Sequence, residues 1–287
     1  VFEINGAIDM HVHSGPDLIG RVGDDFEIAT RSRDGGMAGM AVKSHLESTS
    51  SRAYLTNKVV PGFRYYGGVC LNFPVGGINP AAVDACLNLG GRIVWMPSSH
   101  AKYHAKLTGK LGNWGYSDMN IYSPADGAGI TIITEDGELT AAAKEVVSIV
   151  REHNAVVATS HLSPEEILAL SRFTKEQRVK LVFTHIMWTP EYDLALGQRV
   201  VDNGGTIEIA SSVVGGYTQR MSLTEAANMI ATYGAENIIL ASDAGGVRHP
   251  HPHEELRVLA NNLIEKDVTP DVLHTMLCHN PARLLES

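Results

Sequence analysis

The chain has 287 residues, of which 44% are hydrophobic and 19% charged, and its formal net charge is −9. This is the composition of a globular protein with ample core material, and its acidic balance argues against nucleic acid or anionic membrane surfaces as partners. The length suits one α/β barrel as well as two smaller domains. Three cysteines, Cys70, Cys86 and Cys278, stand far apart with no CxxC. With no signal peptide before the first strand, they predict reduced thiols and a cytoplasmic protein. No apolar run approaches the ~20 residues a membrane helix needs.

In chain order, short apolar runs predict strands over 6–13, 38–45, 65–72, 92–97, 155–161, 180–185, 205–211 and 237–243. Many are rich in Val, Ile and Ala with little alternation, as expected of strands buried on both faces. Helical patterns fall between them, over 24–34, 48–59, 80–89, 139–153, 163–174, 192–203, 223–233 and 252–266. The serines and threonines near residue 48 could cap the second helix. Ser163-Pro164-Glu165-Glu166 has a capping residue, an N1 proline and early acids, a strong helix start. Eight strands alternating with helices predict a (β/α)8 TIM barrel, a single domain over 1–287, in preference to an open doubly wound sheet. The segment 98–138 after the fourth strand is too long for a simple loop and reads as a rim insertion, with a small hairpin over 130–138, that could act as a lid.

The first strand ends in Asp9-Met10-His11-Val12-His13. Residues two apart on a strand share a face, so His11 and His13 form a half-site for a borderline metal such as zinc. Other strands end in comparable residues: Lys43 and His45, His161, His185, and Asp243 before Ala244-Gly245-Gly246. In a parallel barrel all these ends open on one face, so residues far apart in sequence converge. Singly, each could be a satisfied core or capping residue; together they predict a metal centre.

With these motifs the chain resembles the amidohydrolase superfamily of metal-dependent barrel hydrolases: an HxH on the first strand, histidines closing the fifth and sixth, an aspartate closing the eighth. Cys278-His279-Asn280-Pro281-Ala282-Arg283-Leu284-Leu285 also resembles the Asn-Pro-Ala-Arg terminal helix of such enzymes. The resemblance implies that His11, His13, Asp243 and His161 hold a divalent metal, most simply Zn2+, with Mn2+, Fe2+ or nickel also compatible. It implies that Asp243 orients and deprotonates water, and that His185 binds a second metal or polarises the scissile group. The expected reaction is hydrolysis of a C–N or C–O bond in a small amide, cyclic imide, ester or lactone. Non-oxidative decarboxylation of an aromatic or unsaturated acid, phosphoester hydrolysis and a non-catalytic metal-binding scaffold are the alternatives.

The fourth strand departs from the superfamily pattern, having neither a carboxylated lysine nor a glutamate at its end. One ion is therefore expected rather than two, unless His100, His104 or Lys102 supplies an unusual ligand; Glu135 could reach the rim only if the hairpin folds inward. Lys43, His45, His100, His104 and Arg248 are candidate substrate contacts, Lys43 and Arg248 for an anionic group. Arg220 is a weaker anion site, His249 could contact substrate, and Trp114 and Trp188 could form apolar walls. His251 and His253 read as an extended proline-rich loop. Exposed barrel helices and an acidic surface are compatible with a homo-oligomer.

Overall fold

The computed structural model describes residues 1–113, 123–124, 127–186, 189–214 and 220–286. Its strands are β1 (Ile8–Val12), β2 (Gly39–Val42), β3 (Arg64–Tyr66), β4 (Gly68–Cys70), β5 (Ile93–Trp95), β6 (Val156–Ala158), β7 (Lys180–Phe183), β8 (Thr206–Ala210) and β9 (Ile238–Ala241). All pair in parallel with their sequence neighbours, as β1-β2-β3 and as β4 through β9. β3 and β4 are halves of one expected strand, interrupted at Gly67. There the chain passes so close to a helix that a Cβ on Gly67 would lie 2.6 Å from Ser50 Cα.

The last strand meets the first near their C-terminal ends. Asp243 N–H donates to His11 O (2.9 Å) and His13 N–H to Ala244 O (2.8 Å), beside a parallel bridge between Val12 and Ala244. The architecture is thus the expected α/β barrel, with two interruptions in its ladder.

Side-chain alternation divides the core into two layers. Ile8, Met10, Ala41, Cys70, Ile93, Trp95, Val156, Ala158, Val182 and Ile239 fill the interior. Val42, Val69, Val94, Val157, Leu181, Ile207 and Leu240 pack outward under the helices. The terminal helix Asn280–Glu286 plugs the floor of the barrel with Leu284 and Leu285. Asn280 Nδ2 ties it there, donating to the carbonyls of Ala235 (2.7 Å) and Ile238 (2.6 Å).

The helices follow the expected segments, among them Asp25–Asp34, Ser50–Val59, Ala141–Glu152, Pro164–Gln177 and Pro252–Ile264. Ser163 and Glu166 form the reciprocal capping box. The serine–threonine run before Ser50 caps differently from expectation: Thr49 Oγ1 donates to Val42 O (2.9 Å) and Gly68 O (3.1 Å), bracing strands instead of the helix. The expected hairpin over 130–138 is a tight turn closed by one antiparallel bridge, Ile133 to Leu139. Its first arm is committed elsewhere, because Ile132 N–H and Thr131 Oγ1 donate to Glu166 Oε1 at 3.0 and 2.7 Å. The insertion also carries an unexpected helix, Lys102–Thr108. Among the described residues no helix is long and apolar enough to cross a membrane. The three cysteines form no disulfide.

The crossing at the barrel mouth leaves no room for a side chain at Gly245. Its φ is +119°, and a Cβ would lie 1.8 Å from His13 O. Gly245→Ala should lower the urea midpoint, the backbone strain alone costing roughly 1–3 kcal/mol; an unchanged midpoint would mean that the two ends meet differently.

Candidate metal centre

β1 carries one residue more than its partner between two pairing points: Asp9 and Val12 stand opposite Met40 and Val42. This bulge changes the strand's phase. Ile8 and Met10 line the interior low in the barrel, whereas His11 and His13 face it higher up, their ring centres 5.5 Å apart. Asp9 Oδ1 holds the junction, accepting from His11 N–H (3.0 Å) and Ser242 N–H (3.1 Å). On the other strands the ends turn sharply: Ser160 (φ 49°), His185 (φ 50°) and Asp243 (φ 52°) all adopt left-handed backbone. Such conformations are uncommon for non-glycine residues and gather at functional sites.

The imidazoles surround one carboxylate. His11 Nε2 and His13 Nε2 lie 3.2 and 3.3 Å from Asp243 Oδ1, and His185 Nε2 lies 3.4 Å from Asp243 Oδ2. Ser212 Oγ donates to Asp243 Oδ2 at 3.1 Å. Burial drives His11 and His13 down to about 3 and lowers His185 and His161 as well, so the rings are neutral at pH 7. Burial acts to raise Asp243, while the hydrogen bond from Ser212 favours its ionised form.

A neutral imidazole has one N–H and one lone pair, and the partner of one nitrogen decides which is which. His13 Nδ1 lies 2.9 Å from Lys43 O, a carbonyl that can only accept, so the proton sits on Nδ1. The lone pair of His13 Nε2 therefore faces a carboxylate oxygen. His11 Nδ1 lies 3.0 and 3.2 Å from the oxygens of Glu208, and Lys43 Nζ, 3.3 Å from His11 Nε2, has only protons to offer. His11 Nε2 is thus an acceptor as well. Two imidazole acceptors facing a carboxylate oxygen is the arrangement that a cation between them satisfies. Tetrahedral bonds of about 2.0–2.2 Å separate ligand atoms by roughly 3.3–3.6 Å, close to the spacings here. The donor set of imidazole nitrogen and carboxylate oxygen fits a borderline divalent ion.

Glu208 was not anticipated from the sequence. It is 1% exposed on β8, between the outward-facing Ile207 and Ile209. Beyond its two contacts with His11 it accepts from His185 N–H at 3.3 Å. His11, His185 and Glu208 are close enough together to hold an ion, but these contacts already occupy the carboxylate. It is better read as the group that orients His11, the outer partner that metal-binding histidines commonly have. Burial raises it to about 7. The signal available was a lone acid amid Thr206-Ile207-Ile209-Ala210, at the inward phase. Asp9, raised by burial to about 7, was visible in the first motif but had no assigned role.

The other candidates divide by position. Lys43, 1% exposed, lies in the centre beside His11 and makes no ion pair among the described residues. His45 stacks on His13 (4.9 Å) with Nδ1 3.0 Å from Ser98 Oγ. His161 and His185 meet edge to face at 4.9 Å, and His104 lies behind His161, fully buried. His100 is buried, its ring against Phe73. Arg248, Arg220 and Glu135 are exposed. His249 leans on Glu255, Nδ1 to Oε1 3.2 Å. His251, the N-cap of Pro252–Ile264, meets Arg31 at 2.8 Å, in keeping with a loop role. Trp114 and Trp188 lie outside the described residues.

The chain shares its barrel fold with several solved structures, all at low sequence identity. An amidohydrolase from Pseudomonas aeruginosa superposes with TM-score 0.64 at 12% identity, over 98% of this chain and 95% of that one. A TatD homologue from Escherichia coli K12 gives 0.62 at 14% identity, over 99% of both chains. A putative 2-pyrone-4,6-dicarboxylic acid hydrolase from Pseudomonas putida gives 0.59 at 16% identity, over 98% and 97%. By sequence the chain belongs to DUF6282, a family of unknown function, whose profile matches residues 6–208. No curated protein matches it.

Two outcomes follow from the site's electrostatics. Glu208→Leu strands the His11 and His185 N–H groups in a dry interior and should cost about 1–3 kcal/mol in a denaturant melt; an unchanged melt would contradict this placement. The second concerns pH. Unfolded histidines titrate near 6.5, whereas burial holds His11 and His13 at about 3, His100 and His104 at about 4, and also lowers His45, His161 and His185. Stability linked to these groups is present above pH 6.5 and is lost as the pH falls and the unfolded chain takes up protons. Asp9 and Glu208, raised to about 7, act oppositely: their contribution is present below their ordinary values of 3.8 and 4.5 and is lost as the pH rises through 7. The histidines outnumber them, so the Tm of metal-free protein should fall between pH ~7.5 and ~5.5. A flat or rising Tm over that interval would mean that the rings are charged or exposed.

Proposed function

We propose that this chain is a metal-dependent hydrolase that cleaves a C–N or C–O bond of a small carbonyl compound. The observation that carries this reading is the contact between the His13 Nε2 lone pair and the Asp243 carboxylate at 3.3 Å, in a set of neutral, buried imidazoles. His11, His13 and Asp243 would hold the ion, with His161 and His185 facing it from the neighbouring strands. Zinc suits this donor set best, and one ion accounts for the closest group of ligands. When bound, a divalent ion supplies Lewis acidity that makes hydroxide available near neutral pH and polarises a carbonyl.

The chain's own groups supply the rest. Asp243, kept ionised and steadied by Ser212, can take a proton from water and return it to the leaving group. Among the described residues His185 Nδ1 has no hydrogen-bond partner, so this ring can hold or pass a proton. Lys43 and His45, beside His11 and His13, are the groups best placed to orient a negatively polarised substrate oxygen.

The test is metal removal and restoration across a panel of lactones, cyclic imides, amides and esters. Chelated protein should be inactive and regain hydrolysis with Zn2+. Asp243→Asn should retain the fold and lose roughly 10²–10⁴-fold in kcat. Activity indifferent to chelation, or release of carbon dioxide in place of ring-opened acid, would overturn the reading.

A further inference from the structure

The hydrolytic reading leaves His104 unused. This ring comes from the helix Lys102–Thr108 of the rim insertion and is completely buried. Its Nε2 lies 2.7 Å from the carbonyl oxygen of Asn113. The carbonyl has no proton to give, so His104 carries its hydrogen on Nε2. A neutral imidazole carries a single N–H, so with its hydrogen on Nε2 the Nδ1 of His104 bears only a lone pair. That nitrogen lies 2.7 Å from Nδ1 of His161.

The ring centres are 4.9 Å apart and the planes only 15° from parallel. Because the two nitrogens are far closer than the centres, the rings meet edge to edge in nearly one plane. That is the geometry of an in-line hydrogen bond, not of face-to-face stacking. With His104 Nδ1 able only to accept, His161 Nδ1 must donate. The second nitrogen of His161, Nε2, is then left with its lone pair.

We propose that His104 is a positioning residue that fixes the tautomer and orientation of His161, so that His161 Nε2 presents its lone pair to the metal centre. The proton order runs from the Asn113 carbonyl through His104 to His161. It reproduces, with a second imidazole, what the Lys43 carbonyl does for His13 and Glu208 for His11. The start of the insertion is built to hold this order. Asn113 Nδ2 donates to Thr108 O (2.8 Å), Gly112 N–H to Ser99 O (2.8 Å), and Thr108 Oγ1 to His104 O (2.8 Å). These bonds fasten the accepting carbonyl against the helix that bears His104. β5, which has no ligand at its end, thus serves the site at one remove, through the segment that follows it.

This inference rests on the metal-centre reading for its consequence, but its tautomer is measurable without metal. The experiment joins long-range 15N–1H NMR of metal-free protein to competitive Zn2+ titration of wild type, His104→Leu and His104→Gln. Glutamine can accept from His161 and donate to Asn113, whereas leucine does neither. Wild type should show His161 protonated on Nδ1. His104→Leu should show mixed tautomers and bind zinc about 10–100-fold more weakly, with unchanged stoichiometry at saturation. His104→Gln should keep most of the affinity.

His161 protonated on Nε2 in wild type would overturn the proposal, and that spectrum serves even if the leucine variant does not fold. So would wild-type affinity in His104→Leu, or loss of one ion per chain in both variants, which would make His104 itself a ligand. Failure of wild type to bind zinc would instead remove the metal-centre reading, leaving the spectrum to decide the tautomer.

Discussion

The site turns on one constraint: a buried neutral imidazole can offer one lone pair, and the protein decides on which nitrogen. A backbone carbonyl behind His13 and a carboxylate behind His11 both take the Nδ1 proton, directing both Nε2 lone pairs toward Asp243. Burial keeps these rings uncharged. An imidazolium would repel a metal ion, and a ring in the other tautomer would turn its N–H toward it. The outer partners therefore specify the centre as much as the residues that would touch the ion.

The barrel provides the rest through lateral contacts at its strand ends. The bulge in β1 brings His11 and His13 onto the inner face, and Asp243 is fixed by bonding its N–H to His11 O. First and last strands thus share the hydrogen bonds that place His11 and Asp243, which is why residues over two hundred positions apart meet here. Left-handed backbone at Ser160, His185 and Asp243 turns these side chains where plain alternation would not. The strain is borne by a ring of tightly packed parallel strands.

Most of this frame was legible in the sequence. The runs of Val, Ile and Ala located the strands within a few residues, and a shared rim follows from parallel order alone. The histidines and Asp243 stood out because polar residues closing apolar strands are conspicuous. Glu208 did not, since it sits inside a strand, where one acid between isoleucines gives no hint of the distant ring it faces. His104 was noticed but read as a substrate contact or an unusual metal ligand. Its place behind His161 depends on how the insertion folds, and no periodicity encodes that. The hairpin is reduced to one antiparallel bridge for a related reason: Glu166, from a separate helix, accepts from Ile132 N–H and Thr131 Oγ1 on its first arm.

The most direct test of the account is a crystal structure of zinc-loaded protein with anomalous scattering at the zinc edge. The account predicts a peak about 2.0–2.2 Å from Nε2 of both His11 and His13 and from an Asp243 oxygen, with the Nδ1 atoms of the two rings still bonded to Glu208 and the Lys43 carbonyl. A peak on the Nδ1 atoms, or zinc bound only at the surface while Lys43 keeps its contact with His11 Nε2, would contradict it.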